Sequence, residues 1–160
     1  MKNKIFISCA RKDYGLAIQV RDAIQRHTGV CPWVDLSGIN TDAQFTDVLA
    51  KAIDGCELIV FVISRNSVES KWARKVVLYA HERGKKIYPI VIDDVQLPQE
   101  LEPILINLDL IDIRDAAQRE NFFSSLATEV SRTDVASFGR SRWRKLVATW
   151  IDGFKSLLFR

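Results

Sequence analysis

The 160-residue chain carries 23 Lys and Arg against 20 Asp and Glu, a formal net charge of +3, with 48% hydrophobic and 27% charged residues. These are the values of one folded domain able to bury a full core; they exclude a disordered chain and a protein basic enough throughout to hold nucleic acid by charge alone. No apolar run approaches the roughly 18 residues of a membrane span, and the N-terminal MKNKIFISC enters a strand directly, so no signal segment is expected.

KIFIS at residues 4–8 is a short apolar run ending in a polar residue and predicts a buried first strand. A helix follows, with Asp13 as its cap, Leu16, Val20, Ile24 and His27 near one face, and Gly29 as its stop. VCPWVD at residues 30–35 predicts a second strand, placed at a sheet edge because Pro32 has no N–H to donate. LSGIN is a loop. TDAQFTDVLAKAIDG predicts a helix capped by Thr41 or Asp42, with Phe45, Leu49 and Ile53 as its stripe and Gly55 at its end. ELIVFVIS at 57–64 is the most apolar run and the expected central strand. A helix over ESKWARKVVLYAHERGKK ends at Gly84. KIYPIVI at 86–92 predicts a fourth strand, DDVQLPQELEP a proline-marked connection, LDLIDI at 108–113 a fifth strand, and AAQRENFFSSLATEV a last helix.

Strands alternating with helices, most of them short and apolar, predict right-handed βαβ units and a parallel sheet with helices on both faces; the expected architecture is a flavodoxin-like α/β fold of five strands in order 2-1-3-4-5. Ligands of such sheets bind beyond the carboxyl ends of the strands. The residues to inspect are therefore 8–12, 35–41, 64–70 and 93–96.

Several chemistries are discounted at those positions. A phosphoacceptor receiver needs clustered acids after the first strand and an aspartate after the third, where this chain has Ser8-Cys9 and Ser64-Arg65. No G-x-x-x-x-G-K-[ST] loop or G-x-G-x-x-G turn is present to cradle phosphates. His27 and His81 lie on helices away from strand ends, so a metal or triad role is not expected. Cys9, Cys31 and Cys56 are too scattered for a metal site and odd in number, which predicts reduced thiols in a cytoplasmic protein.

In order along residues 3–130, the quoted stretches resemble the Toll/interleukin-1 receptor (TIR) domain family, of the cytosolic bacterial type. IFISCARKD resembles its first signature, WVDLSGINTDAQF its second strand and the loop that mediates domain–domain contacts, and ELIVFVISRNSVESKWARK its third strand with the S-x-x-[ST]-x-W turn. GKKIYPIVI is similar to the fourth strand and FFSSL to the F-W-x-x-L of the last helix. The resemblance implies a TIR domain over residues 1–130. Two departures are Cys9, where an aromatic is usual, and Asp42, near a position commonly held by glycine.

Many TIR domains cleave the nicotinamide–ribose bond of NAD+ with a glutamate placed as W-x-x-x-E. Here that position is Val76, four residues after Trp72. Breaking the bond leaves positive charge on the ribose, which a carboxylate stabilises and a valine cannot. Glu69 and Glu82 do not share the one-turn face of Trp72 and are not obvious substitutes. Ala10, Arg11, Asp35, Phe45, Ser64 and Trp72 remain as groups that would line a nucleotide cleft, each with an ordinary core or capping alternative. Two readings follow from the resemblance. One is an immune or defence signalling protein, inactive or impaired as an enzyme, that works by TIR–TIR homo- or hetero-assembly. The other is an NAD+ glycohydrolase or cyclase of cell defence using a displaced acid or carrying a substituted residue 76. NAD+ enters only as substrate or ligand; no resident cofactor, metal or nucleic-acid partner is expected. Leu36, Ser37, Gly38 and Ile39 are the expected contact loop.

Residues 131–160 stand apart. They carry seven basic groups and two acidic ones, net +5 in a chain of +3, so the body is slightly acidic. Within them Trp143, Leu146, Val147, Trp150, Ile151, Phe154, Leu157 and Leu158 fall on one helical stripe flanked by Arg142, Arg144, Lys145 and Lys155. A basic amphipathic helix over 140–159 is expected. It would dock on its own domain, meet another subunit through Trp143, Trp150 and Phe154, or lie on an acidic membrane surface.

Overall fold

The computed structural model describes residues 5–34 and 47–132. Its elements run β1 (Ile5–Ser8), a 3-10 turn (Arg11–Asp13), α1 (Tyr14–Thr28), β2 (Trp33–Val34), α2 (Asp47–Gly55), β3 (Leu58–Ile63), α3 (Arg65–Glu69), α4 (Lys71–Glu82), β4 (Lys86–Val91), α5 (Glu102–Leu105), β5 (Ile111–Asp112) and α6 (Ala116–Arg132). The five strands form one parallel sheet, as the alternation of elements predicts, in the expected order β2-β1-β3-β4-β5.

Side-chain alternation along the strands divides the core in two. Ile5, Ile7, Leu58, Val60, Val62 and Ile90 face α1 and α6, where Ala17, Val20, Ile24, Phe122, Phe123, Leu126 and Val130 close over them. Phe6, Ile59, Phe61, Ile63 and Ile87 face the other way, under Leu49 and Ile53 of α2, Ala73, Val76, Val77 and Ala80 of α4, and Leu101 and Leu105 beside α5. β3 is buried at all six positions because both layers cover it. The inward face of α1 is Ala17, Val20 and Ile24; Leu16 is only half-buried. His27 stacks on Phe123 of α6 at 4.9 Å between ring centroids, a helix-packing role.

The helix stops are where left-handed backbone is needed. Gly29 ends α1 at φ 73° and Gly84 follows α4 at φ 64°, conformations that cost other residues more than glycine. Four boundaries differ from the sequence expectation. β2 is two residues rather than six: the hydroxyl of Thr28 accepts from the Val30 N–H at 3.1 Å and holds the chain in a turn, and Pro32 has no donor. The expected helix before Gly84 is α4, and a further short helix not anticipated from the sequence, α3, precedes it and ends at Ser70. The connection after β4 contains a one-turn helix, α5, with Pro103 in its first turn, where a missing N–H is harmless.

The fourth difference is β5, two residues rather than six. The Val91 carbonyl accepts from Ile113 N–H at 3.2 Å, so Val91 faces β5 and Pro89, two residues earlier, faces the same edge without an N–H. The β4–β5 ladder accordingly holds only Ile90–Ile111 and Val91–Asp112.

Among the described residues no helix is long and apolar enough to cross a membrane. Cys9, Cys31 and Cys56 are free thiols, the first and last of them buried. Asp35 to Thr41, Phe45 and residues 133–160, with the expected contact loop and C-terminal helix, lie outside the described residues.

Candidate functional site

The carboxyl edge of the sheet is laced by polar groups from successive loops, and Asp13 is their hub. It sits at 9% exposure just before α1, yet its carboxylate makes no cap bond to that helix. One oxygen accepts from the Ser64 hydroxyl and the other from Asn66 Nδ2 at 2.7 Å. The loop after β1 is thereby tied to the turn after β3. Asp13 is not the helix cap that its position before α1 suggested, because the neighbouring strand end supplies better donors than the helix terminus does.

The S-x-x-S-x-W stretch, Ser67 to Trp72, has a physical reading in the same turn. Ser64 and Ser67 form a reciprocal capping box: Ser64 Oγ accepts from Ser67 N–H at 2.9 Å, and Ser67 Oγ accepts from Ser64 N–H at 2.8 Å. Ser70 then caps α4 by accepting from Ala73 N–H at 3.2 Å. Two caps in seven residues turn the chain from β3 into α4 and place Trp72 half-buried against the layer of Phe61 and Val76. The lacing continues outward, with Asp93 accepting from the Arg65 N–H at 3.0 Å. Arg114 reaches Asp94 at 2.8 Å and Asp112 at 2.7 Å.

Arg114 holds the Asp112 carboxyl at about 2, below the ordinary 3.8, chiefly through their side-chain hydrogen bond, and lowers Asp94 in the same way. Because the folded value is depressed, the contribution of Asp112 is present above the ordinary carboxylate value and is lost as pH falls through about 2. In an NMR titration, Arg114→Ala should return Asp112 toward 3.8, and an unchanged midpoint would show that Arg114 is not the cause.

The sequence candidates divide clearly. Ala10 is buried, Arg11 is exposed, and both follow β1 directly. Ser64 is fully buried, its hydroxyl engaged by Asp13 and by the capping box. Val76 is 0% exposed and lies in the α2/α4 layer with Phe61, Ile63, Leu49 and Ile53. Asp35 and Phe45 lie outside the described residues. Asn66, which carries no motif signal, and Ser8 fall within the strand-end stretches marked for inspection, but sequence reasoning gave neither a role. The Ser8 side chain alternates onto the same layer as Phe6, is 0% exposed, and its hydroxyl has no hydrogen-bond partner among the described residues. A cavity of about 650 Å³ lies elsewhere, between the open edge of β4 and α6, and takes in none of these groups. No cluster of His, Cys, Asp and Glu suited to a metal occurs among the described residues.

The family model described as TIR domain matches residues 5–127. The chain belongs to the TIR domain family. Solved TIR structures share its fold. The TIR domain of the Toll-related receptor TRR-2 from the lower metazoan Hydra magnipapillata aligns with a TM-score of 0.63 at 17% identity, over 79% of this chain and 97% of that one. A metazoan TIR-STING receptor from C. gigas, in complex with 2',3'-cGAMP, aligns at 0.57 and 24% identity over 79% of this chain; the match spans only 39% of that receptor. The TIR domains of the activated Roq1 resistosome, which directly recognizes the pathogen effector XopQ, align at 0.50 and 14% identity, over 94% of this chain and 99% of that one. The search of curated proteins gives no match. In this TIR domain, the polar lacing described above ties the loop after β1 to the turn after β3, and that turn to the segment after β4.

Proposed function

We propose that this TIR domain is an immune or defence signalling protein that acts through TIR–TIR assembly, and that its NAD+-type cleft is inactive because position 76 holds no acid. The single observation that carries this reading is the complete burial of Val76 in the α4 layer. A group that stabilises charge on ribose needs a lone pair and access to the ligand; this side chain has neither. Loss of such a group typically costs about 10²-fold or more in rate. The assembly half rests on the contact loop around Leu36, Ser37, Gly38 and Ile39, and on likeness in fold to TIR domains of a receptor and a resistosome. Arg11 and Trp72 are the described groups that would meet a nucleotide, with Asp35 and Phe45 as the further candidates from the sequence. Ala10 and Ser64 act behind them as wall and cap. The protein is taken to work in the cytoplasm.

A second reading, an NAD+ glycohydrolase with a displaced acid, draws support from Ser8. A buried hydroxyl without a partner among the described residues, on the layer against which Trp72 packs, is a group that a polar ligand would satisfy. Both halves of the first reading are tested on one preparation. Purified protein incubated with NAD+ should release no nicotinamide above the buffer control, and light scattering should show self-association that Leu36→Asp with Ile39→Asp abolishes. Sustained turnover by the unaltered chain would sink the inactive reading in favour of the second. A mass unaffected by the double substitution would remove this loop from the interface.

A further inference from the structure

The groove between the open β4 edge and α6 has no part in the carboxyl-end site, and its character asks for an occupant. Its walls include Ile87 of β4, Ile104 of α5, Leu108, Leu110 and Ile111 of the following segment, and Phe122 of α6. Among the described residues, the large exposed hydrophobics are Ile106 at 65% and Leu110 at 44%, both between α5 and β5, and Leu110 is on the groove wall. The groove exists because the β4–β5 ladder begins only at Ile90 and leaves the earlier part of β4 uncovered on that side. An added strand is disfavoured there, since Pro89 faces this edge without an N–H. A helix, whose backbone bonds are internal, has no such requirement.

We propose that the occupant is the chain's own C-terminal segment, residues 140–159, folded as an amphipathic helix that returns along α6 and lays its tryptophan-bearing stripe into this groove. Reach permits it. α6 ends at Arg132 and lines the groove as far along as Ser125, about 10 Å back at helical rise. The seven residues 133–139 span up to roughly 24 Å, enough to reverse direction and cover that distance. A connection this short also sets an effective concentration in roughly the millimolar range for the segment at its own domain, well above that of a second copy in dilute solution. Composition agrees. The segment has eight large apolar groups on one stripe, and the apolar groove offers about 650 Å³ beside an exposed leucine. Lys85 and Lys86 also line the groove, but their ammonium groups are held by the carbonyls of Asp54 and Cys56 and by Glu129, at 2.7–2.8 Å. They are therefore directed to other partners when the basic segment approaches.

The test is limited trypsin digestion of the full chain, read by mass at Arg140, Arg142, Arg144 and Lys145. In the unaltered protein these sites should be cut slowly. Leu110→Glu, at an exposed position that folding tolerates, should speed cleavage about tenfold or more by opening the docked state. Trp150→Glu should do the same, and the two together should add little, because both break one contact. As a reading independent of Leu110→Glu, Asn121→Cys, on the α6 wall of the groove, should resist a maleimide in a chain whose exposed Cys31 is replaced by serine, and react readily when combined with Trp150→Glu. The proposal is overturned if the tail sites are cut fast in the unaltered chain, or if neither Leu110→Glu nor Trp150→Glu changes their rate. Protection that disappears on dilution to the single-chain mass would place the segment on a second copy. Protection that needs vesicles containing phosphatidylserine would place it on a membrane. Either result overturns docking within the chain.

Discussion

Val76→Glu should destabilise the domain by about 4 kcal/mol or more, a fall in Tm of roughly 10–20 °C, without gain of nicotinamide release. Val76 is 0% exposed among Phe61, Ile63, Leu49 and Ile53, so the new carboxylate would lose its water and find apolar neighbours. Burial disfavours the charged form, which raises the carboxyl's folded pKa above its unfolded value of about 4.3. A raised folded value means that the penalty is smallest at pH below the unfolded value and grows as pH rises through it. Thermal unfolding at two pH values should therefore show Val76→Glu closer to the unaltered protein at the acidic one. Val76→Ala, which only leaves a cavity, should cost about 2 kcal/mol with no such pH dependence. If Val76→Glu instead melts with the unaltered protein and hydrolyses NAD+, residue 76 faces a cleft rather than the core, and the missing acid is the whole reason for inactivity.

The second large effect is at Asp13. Asp13→Ala removes the acceptor of the Ser64 hydroxyl and of Asn66 Nδ2 together, in a nearly buried setting. Two charge-assisted hydrogen bonds lost, with their donors left behind, should cost about 3 kcal/mol. Asp13→Ser separates this role from helix capping. Serine caps a helix about as well as aspartate, but cannot accept from two partners on the neighbouring turn. The Tm of Asp13→Ser should consequently fall nearly as far as that of Asp13→Ala. Recovery to the unaltered Tm would mean that capping is the whole role. A double-mutant cycle of Asp13→Ala with Asn66→Ala should show a coupling of about 1 kcal/mol, since the two side chains touch.

That linkage joins residues 51 or more positions apart, which is why no local pattern announced it. An aspartate just before a helical pattern reads as a cap, and nothing nearby in the chain says that a strand end will supply two better donors. Val76 was ambiguous for a related reason. A valine one turn after a tryptophan suits a core stripe and also marks the absence of a cleft acid. Its distance from solvent depends on how α4 lies across β3 and β4, a tertiary quantity. The 35–41 loop, Asp35, Phe45 and the tail lie outside the described residues, so their roles remain proposals.

The sequence by itself determined the sheet. Short apolar runs alternating with helical stripes specify parallel strands covered on both sides, and the observed sheet has the expected order 2-1-3-4-5. It also determined the stops at Gly29 and Gly84, because left-handed backbone selects glycine locally. Strand lengths at the sheet margins were decided only in three dimensions. The side chains in VCPWVD and LDLIDI suit strands, but a ladder also needs a donor from the facing chain, and Pro89 withholds one next to β5. Burial of residue 76, the partners of Asp13 and the open groove beside α6 belong to the same class. Each depends on contacts between segments distant in the chain, and hydrophobic periodicity records which face a residue takes, not what it will find there.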